Sequence, residues 1–86
     1  MNINNPRLFK VGDIIKPAYP YLKWRIKYKE FNPQISNDSI KSRYKSLMNY
    51  NFEINEIHNN LISVRHIFGY YASSMSNLDK KLIKKI

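Results

Sequence analysis

The chain has 86 residues, 43% of them hydrophobic and 14% aromatic, which leaves room for one modest core and is too apolar for a disordered tail. Lys and Arg number 15 against 6 acids, a formal charge of +9, and cysteine is absent. Disulfides and thiolate metal sites are therefore excluded, and an anionic partner is favoured: nucleic acid, acidic lipid or an acidic protein surface. The plain alternative is a solvated surface, or an excess of Lys, Asn and Ile set by codon usage.

Residues 1–7 are polar and contain Pro6, and are expected to form an arm leading into a single domain over 1–86. In Phe9-Lys10-Val11-Gly12-Asp13-Ile14-Ile15-Lys16-Pro17, Gly12 permits a tight turn, Ile14-Ile15 opens a first strand and Pro17 ends it. From Leu22 the pattern alternates: Leu22, Trp24, Ile26 and Tyr28 against Lys23, Arg25, Lys27 and Lys29. On a strand this gives an apolar face and a row of cations. Tyr21, Trp24, Tyr28 and Phe31 also stand at helical spacing, but Leu22 and Ile26 would widen the apolar arc of that helix past half its circumference. The strand is the preferred reading.

Asn32-Pro33 ends that element. Ser36-Asn37-Asp38 carries oxygens able to cap a helix, and Ile40, Tyr44, Leu47 and Met48 follow at helical spacing, so a short helix is expected from Ser39 to about Met48. Phe52 to Ile57 and Leu61 to Ile67 read as strands of a hairpin turning at His58-Asn59-Asn60, because Asn tolerates left-handed backbone angles. Gly69 marks another turn, and Tyr70 to Met75 returns as a short strand. Ser76-Asn77-Leu78-Asp79 reads as a helix start, and Leu78, Leu82, Ile83 and Ile86 give the helix over 76–86 one apolar face, with Lys80, Lys81, Lys84 and Lys85 opposite or beside it.

Phe9 to Ile15, the strand Tyr50 to Ile57, its partner Leu61 to Ile67, the turn at Gly69 and a terminal helical turn resemble the order of a small SH3-like barrel. The hydrophobic-Gly-Asp opening resembles KOW and Tudor-type barrels and short phage-encoded or viral proteins of that shape. The resemblance covers about two-thirds of the chain. Trp24 to Met48 departs from it, as a longer basic insertion where a compact barrel has a loop. The fold expected is thus α+β and mainly β: a barrel of about five strands, a short middle helix and a basic C-terminal helix. Such barrels serve nucleic-acid, peptide and assembly roles alike.

Catalytic chemistry is poorly provided for. The two histidines, His58 and His66, fall on a turn and a strand, and Glu53 and Glu56, three apart on one strand, tend to opposite faces. With no cysteine, six scattered acids and only Gly12 and Gly69, neither a zinc site nor a phosphate-binding glycine loop is expected, and the chain reads as a non-enzyme without cofactor or metal.

The cations are the better candidates. On a strand, Lys23, Arg25, Lys27 and Lys29 would repeat every 6 to 7 Å or so, close to the phosphate spacing of a nucleic-acid strand. Lys41, Arg43, Lys45, Lys80, Lys81, Lys84 and Lys85 would assist. The expected function is a nucleic-acid-binding module of little sequence specificity, DNA or RNA. The alternative is a phage or viral assembly or inhibitory protein docking on an acidic protein or nucleoprotein surface through Tyr19, Tyr21, Phe68, Tyr70 and Tyr71. Residues 1–15 lack the apolar stretch of a signal peptide and no run is long enough to span a bilayer, so a cytoplasmic location, or a virion for a viral protein, is expected.

Overall fold

The computed structural model describes residues 8–86, so the polar arm expected over 1–7 lies outside the described residues. The elements in chain order are β1 (Ile14–Pro17), α1 (Tyr21–Phe31), α2 (Asn37–Asn49), β2 (Phe52–His58), β3 (Leu61–Phe68), β4 (Tyr71–Asp79), a 3-10 turn (Lys80–Leu82) and β5 (Ile83–Lys85). The five strands form one open antiparallel sheet in the order β4-β3-β2-β1-β5.

Strand β1 begins where Gly12 and Asp13 fasten the chain to β2. Gly12 takes φ +99, its N–H donates to the Ile54 carbonyl at 2.8 Å, and the Ile54 N–H donates to the Asp13 carbonyl at 2.9 Å. The Asp13 carboxylate accepts from the Lys10 N–H at 2.9 Å, closing the turn locally.

The segment Leu22 to Tyr28 is helical, which corrects the strand expected from its alternation. Only Trp24 and Tyr28 of α1 enter the core, while Leu22 and Ile26 remain 64% and 60% exposed. The objection to a helix assumed that every apolar residue must be covered; two large aromatics suffice to anchor this one. Trp24 packs edge-on against Tyr28, with ring centroids 5.1 Å apart, and its indole N–H donates to the Leu82 carbonyl at 2.8 Å.

Helix α2 lies where the sequence places it, a residue or two longer at each end. The Ser36 hydroxyl accepts from the Ser39 N–H at 3.1 Å, and Asp38 in the first turn complements the positive end of the helix dipole. No basic residue lies in its last turn; the cation comes from another element. Lys16 of β1 extends its ammonium to the carbonyls of Leu47 at 3.1 Å and Tyr50 at 3.0 Å, with Met48 at 3.5 Å.

Strands β2, β3 and β4 make a meander. The β2–β3 turn is Asn59-Asn60, with Asn59 at φ +56, and the β3–β4 turn is Gly69-Tyr70, with Gly69 at φ +54. Each strand pair contains a bulge. Ile54 and Glu56 pair with Val64 and Ser63, leaving Asn55 extra on β2, while Ile62 and Val64 pair with Leu78 and Met75, leaving an extra residue on β4 beside Asn77 at φ +59. Bulges flanking β3 on both sides bend and coil the sheet.

The helix expected over 76–86 is not formed. Strand β4 continues to Asp79, whose carboxylate caps a single 3-10 turn by accepting from the Lys81 N–H at 2.9 Å, and Ile83–Lys85 then pair with β1. Ser76, Asn77 and Leu78 of the expected helix start stay in β4 and only Asp79 acts as a cap, because three ladder pairs with Ile15, Lys16 and Pro17 outcompete a short terminal helix, which is marginal by itself. Leu78, Leu82 and Ile83 are buried as expected, whereas Ile86 is exposed. They join Ile15, Trp24, Tyr28, Ile40, Leu47, Phe52, Ile54, Ile62, Val64 and Met75 in one hydrophobic cluster.

A candidate anion-binding groove

Helical geometry redistributes the cations of α1. Residues two apart on a helix face about 200° from one another, so the expected row becomes two pairs, Lys23 with Lys27 and Arg25 with Lys29, on opposite flanks of the buried Trp24–Tyr28 stripe. Lys23 and Lys27 both lie over the Tyr19 ring, with ammonium-to-centroid distances of 4.9 and 5.8 Å. Arg25 lies over Tyr21 at 5.8 Å, and the Lys29 ammonium donates to the Ile35 carbonyl.

Other cations divide by whether the fold employs them. Arg43 is structural: its guanidinium donates to the Tyr28 hydroxyl at 2.8 Å and the Ser76 carbonyl at 3.0 Å. Burial raises the pKa of Tyr28, and the neighbouring Arg43 partly offsets this by favouring the phenolate. Lys81 lies 6.0 Å from the centre of the Phe31 ring, and Lys85 is 4.0 Å from the Asp13 carboxylate. Lys80 is half-buried in the 3-10 turn, its backbone N–H bonded to Asn60. Lys41, Lys45 and Lys84 are exposed, with no side-chain bond or ion pair to the described residues.

A groove opens where β1 leaves the sheet. It is lined by Lys16-Pro17-Ala18-Tyr19-Pro20, by Tyr44 and Met48 of α2, and by Lys84 and Ile86. It is open to solvent and has a volume of about 490 Å³. The Tyr44 hydroxyl donates to the Tyr19 carbonyl at 3.3 Å, and the Tyr44 ring is backed by Tyr21 and Trp24, at centroid distances of 5.3 and 5.4 Å. The aromatic wall is thus held by the core.

Lys16 and Lys84 are directly opposed across the β1–β5 ladder. Two like charges at such a position repel, and no acid lines the groove to separate them. The negative end of α2 relieves one member only. Because the Lys16 ammonium is turned onto the α2 carbonyls, it contributes field rather than free donors, whereas the donors of Lys84 stay open. Chemically, the arrangement suits an anion with an apolar or aromatic body.

Of the residues singled out in the sequence, the structure brings Tyr19, Lys23, Lys27 and Lys84 to this end of the molecule. Lys16, Tyr44, Met48 and Ile86 were missed, because their roles depend on the β1–β5 pairing and on the docking of α2. Tyr70 and Tyr71, by contrast, project from the β3–β4 turn, fully and 78% exposed, and Phe68 pairs with Tyr71 at its base. His66 bonds the Asn51 carbonyl through Nδ1 at 2.9 Å and packs on Tyr50 and Phe52, and His58 lies 2.6 Å from the Glu56 carboxylate. Among the described residues, no group of three His, Asp or Glu is placed to hold a metal, and no helix is long and apolar enough to cross a membrane.

Comparison with family models, with curated proteins and with solved structures gave no match.

Proposed function

We propose that the chain is a nucleic-acid-binding module contacting the phosphate backbone with little sequence preference, and that the groove beside β1 is its contact surface. The observation that carries this is the opposed Lys16–Lys84 pair in a groove without an acid. The α2 carbonyls relieve Lys16 but not Lys84, so the remaining like-charge repulsion costs stability, and a polyanion on Lys84 removes that cost on binding. Lys23 and Lys27 extend the positive potential over Tyr19.

The sheet order supports reading the fold as a small SH3-like barrel. In that reading β1 lies between β2 and β5, a helical turn separates β4 from β5, two bulges coil the meander, and α1 with α2 forms the insertion between β1 and β2. The reading concerns shape only and does not choose between nucleic-acid and protein partners.

The test is binding of labelled DNA and RNA oligonucleotides over a range of salt. Affinity should fall steeply with salt, and K84E should lower both the affinity and the slope of log K against log salt by about one unit per lost phosphate contact. Absent or salt-insensitive binding to both nucleic acids would refute the proposal.

A second reading, docking on a protein or nucleoprotein partner in an assembly or inhibitory role, has its own observation: the exposed Tyr70 and Tyr71 at the end of the β3–β4 hairpin, near the exposed Ile67. In that case Y70A and Y71A would abolish capture of the partner while K84E would not.

A further inference from the structure

We infer that the groove takes single-stranded rather than duplex nucleic acid, with one base seated against its aromatic and apolar walls and the flanking phosphates on Lys84 and the Lys23–Lys27 pair. This rests on the nucleic-acid reading above and names its substrate class.

Three observations carry it. The first is the lining: Pro17, Tyr19, Pro20, Tyr44, Met48 and Ile86 are apolar or aromatic, and among the described residues only Lys16 and Lys84 of the lining are charged. A duplex keeps its base faces stacked inside and would leave these walls in contact with nothing, whereas an unpaired base offers a face to each of them. The second is the distribution of charge. Lys23 and Lys27 face away from Arg25 and Lys29, and Lys29 is tied to a carbonyl, so α1 presents no straight track of cations for a rigid helical backbone. A flexible strand can instead bend from Lys84 across the groove to the Tyr19 edge. The third is rigidity. Tyr44 is held by its hydroxyl bond to the Tyr19 carbonyl and by ring packing on Tyr21 and Trp24, so little side-chain freedom is lost when a base arrives.

The experiment compares four fluorescent probes of equal length on the intact chain at one low salt concentration: a single-stranded DNA, a single-stranded RNA, the DNA as a duplex, and a single strand abasic at its central positions. At least one intact single strand should bind about tenfold or more tightly than both the duplex and the abasic strand, consistent with the contribution of base stacking on an aromatic side chain. The DNA and RNA arms identify the sugar preferred. Y19A keeps the backbone carbonyl that accepts from Tyr44, and it should lower affinity for the intact single strand several-fold more than affinity for the duplex or the abasic strand; circular dichroism verifies its fold. Equal affinity for duplex and single strand, or for intact and abasic strand, overturns the inference and leaves the phosphate-backbone reading standing. Failure of every probe to bind overturns both.

Discussion

The indole N–H of Trp24 donates to the Leu82 carbonyl at 2.8 Å, fastening the middle of α1 to the 3-10 turn that precedes β5. The same carbonyl accepts from the Ala18 N–H at 2.9 Å, so one buried oxygen joins the exit of β1, the first helix and the last turn. Because that oxygen keeps a second partner, W24F should cost only about 1 to 2 kcal/mol. W24A, which also opens a cavity, should cost about 3 to 5 kcal/mol. Urea denaturation followed by circular dichroism measures both.

Lys16 and Lys84 should respond to substitution with opposite signs, although both are lysines facing one another on adjacent strands. K16M removes the ammonium that satisfies the end of α2 and should cost about 1 kcal/mol. K84Q relieves repulsion and should be neutral or stabilising by about 0.5 kcal/mol. The latter variant should nevertheless bind nucleic acid more weakly. A loss of stability in K84Q would show that the pair is not repulsive in solution.

Tyr28 supplies a pH dependence. Its pKa is raised by burial above the ordinary tyrosine value of about 10, so above that value the unfolded chain releases a proton that the folded chain retains. Stability should be fully present below pH 10 or so and decline as the pH rises toward the folded pKa. Y28F should flatten its own share of this decline, at the cost of one hydrogen bond from Arg43. Chemical denaturation at several alkaline pH values gives the two slopes.

Asn59 and Asn77 hold left-handed backbone angles in a turn and at a bulge. Glycine should be tolerated or mildly stabilising at both, whereas N77V should lose about 1 to 2 kcal/mol, since a β-branched side chain meets the carbonyl in that conformation. Thermal unfolding of the two Asn77 variants should rank them in that order.

Much of the fold is legible in short stretches of sequence. The β2–β3 hairpin follows from Asn59-Asn60 between apolar runs, β1 from Gly12 and Pro17, and α2 from the Ser36 cap with Ile40 and Leu47 on one stripe. Two segments mislead for the same reason: local pattern is outweighed by distant partners. Leu22 to Tyr28 alternates perfectly, yet the burial of Trp24 and Tyr28 against the core decides in favour of a helix. Residues 76–86 carry a genuine cap at Asp79, but β1 offers an open edge only once the chain is folded. The groove was illegible for the same reason, since Lys16 and Lys84 lie far apart in sequence and acquire meaning only as neighbours. The basic character, legible from composition, is divided among opposite sides of α1 and between structural and open cations.

The pairing of Ile15 with Lys85 joins residues about 70 positions apart, while every contact within the β2–β3–β4 meander closes over a short loop. On loop-closure entropy alone, the short-range meander is expected to close more readily than the β1–β5 pairing. Lys16 and Lys84 are therefore expected to meet late in folding. A chain with the meander formed but β5 unpaired would hold Lys16 and Lys84 apart and lack the groove, so the groove itself reports that the two distant strands have paired.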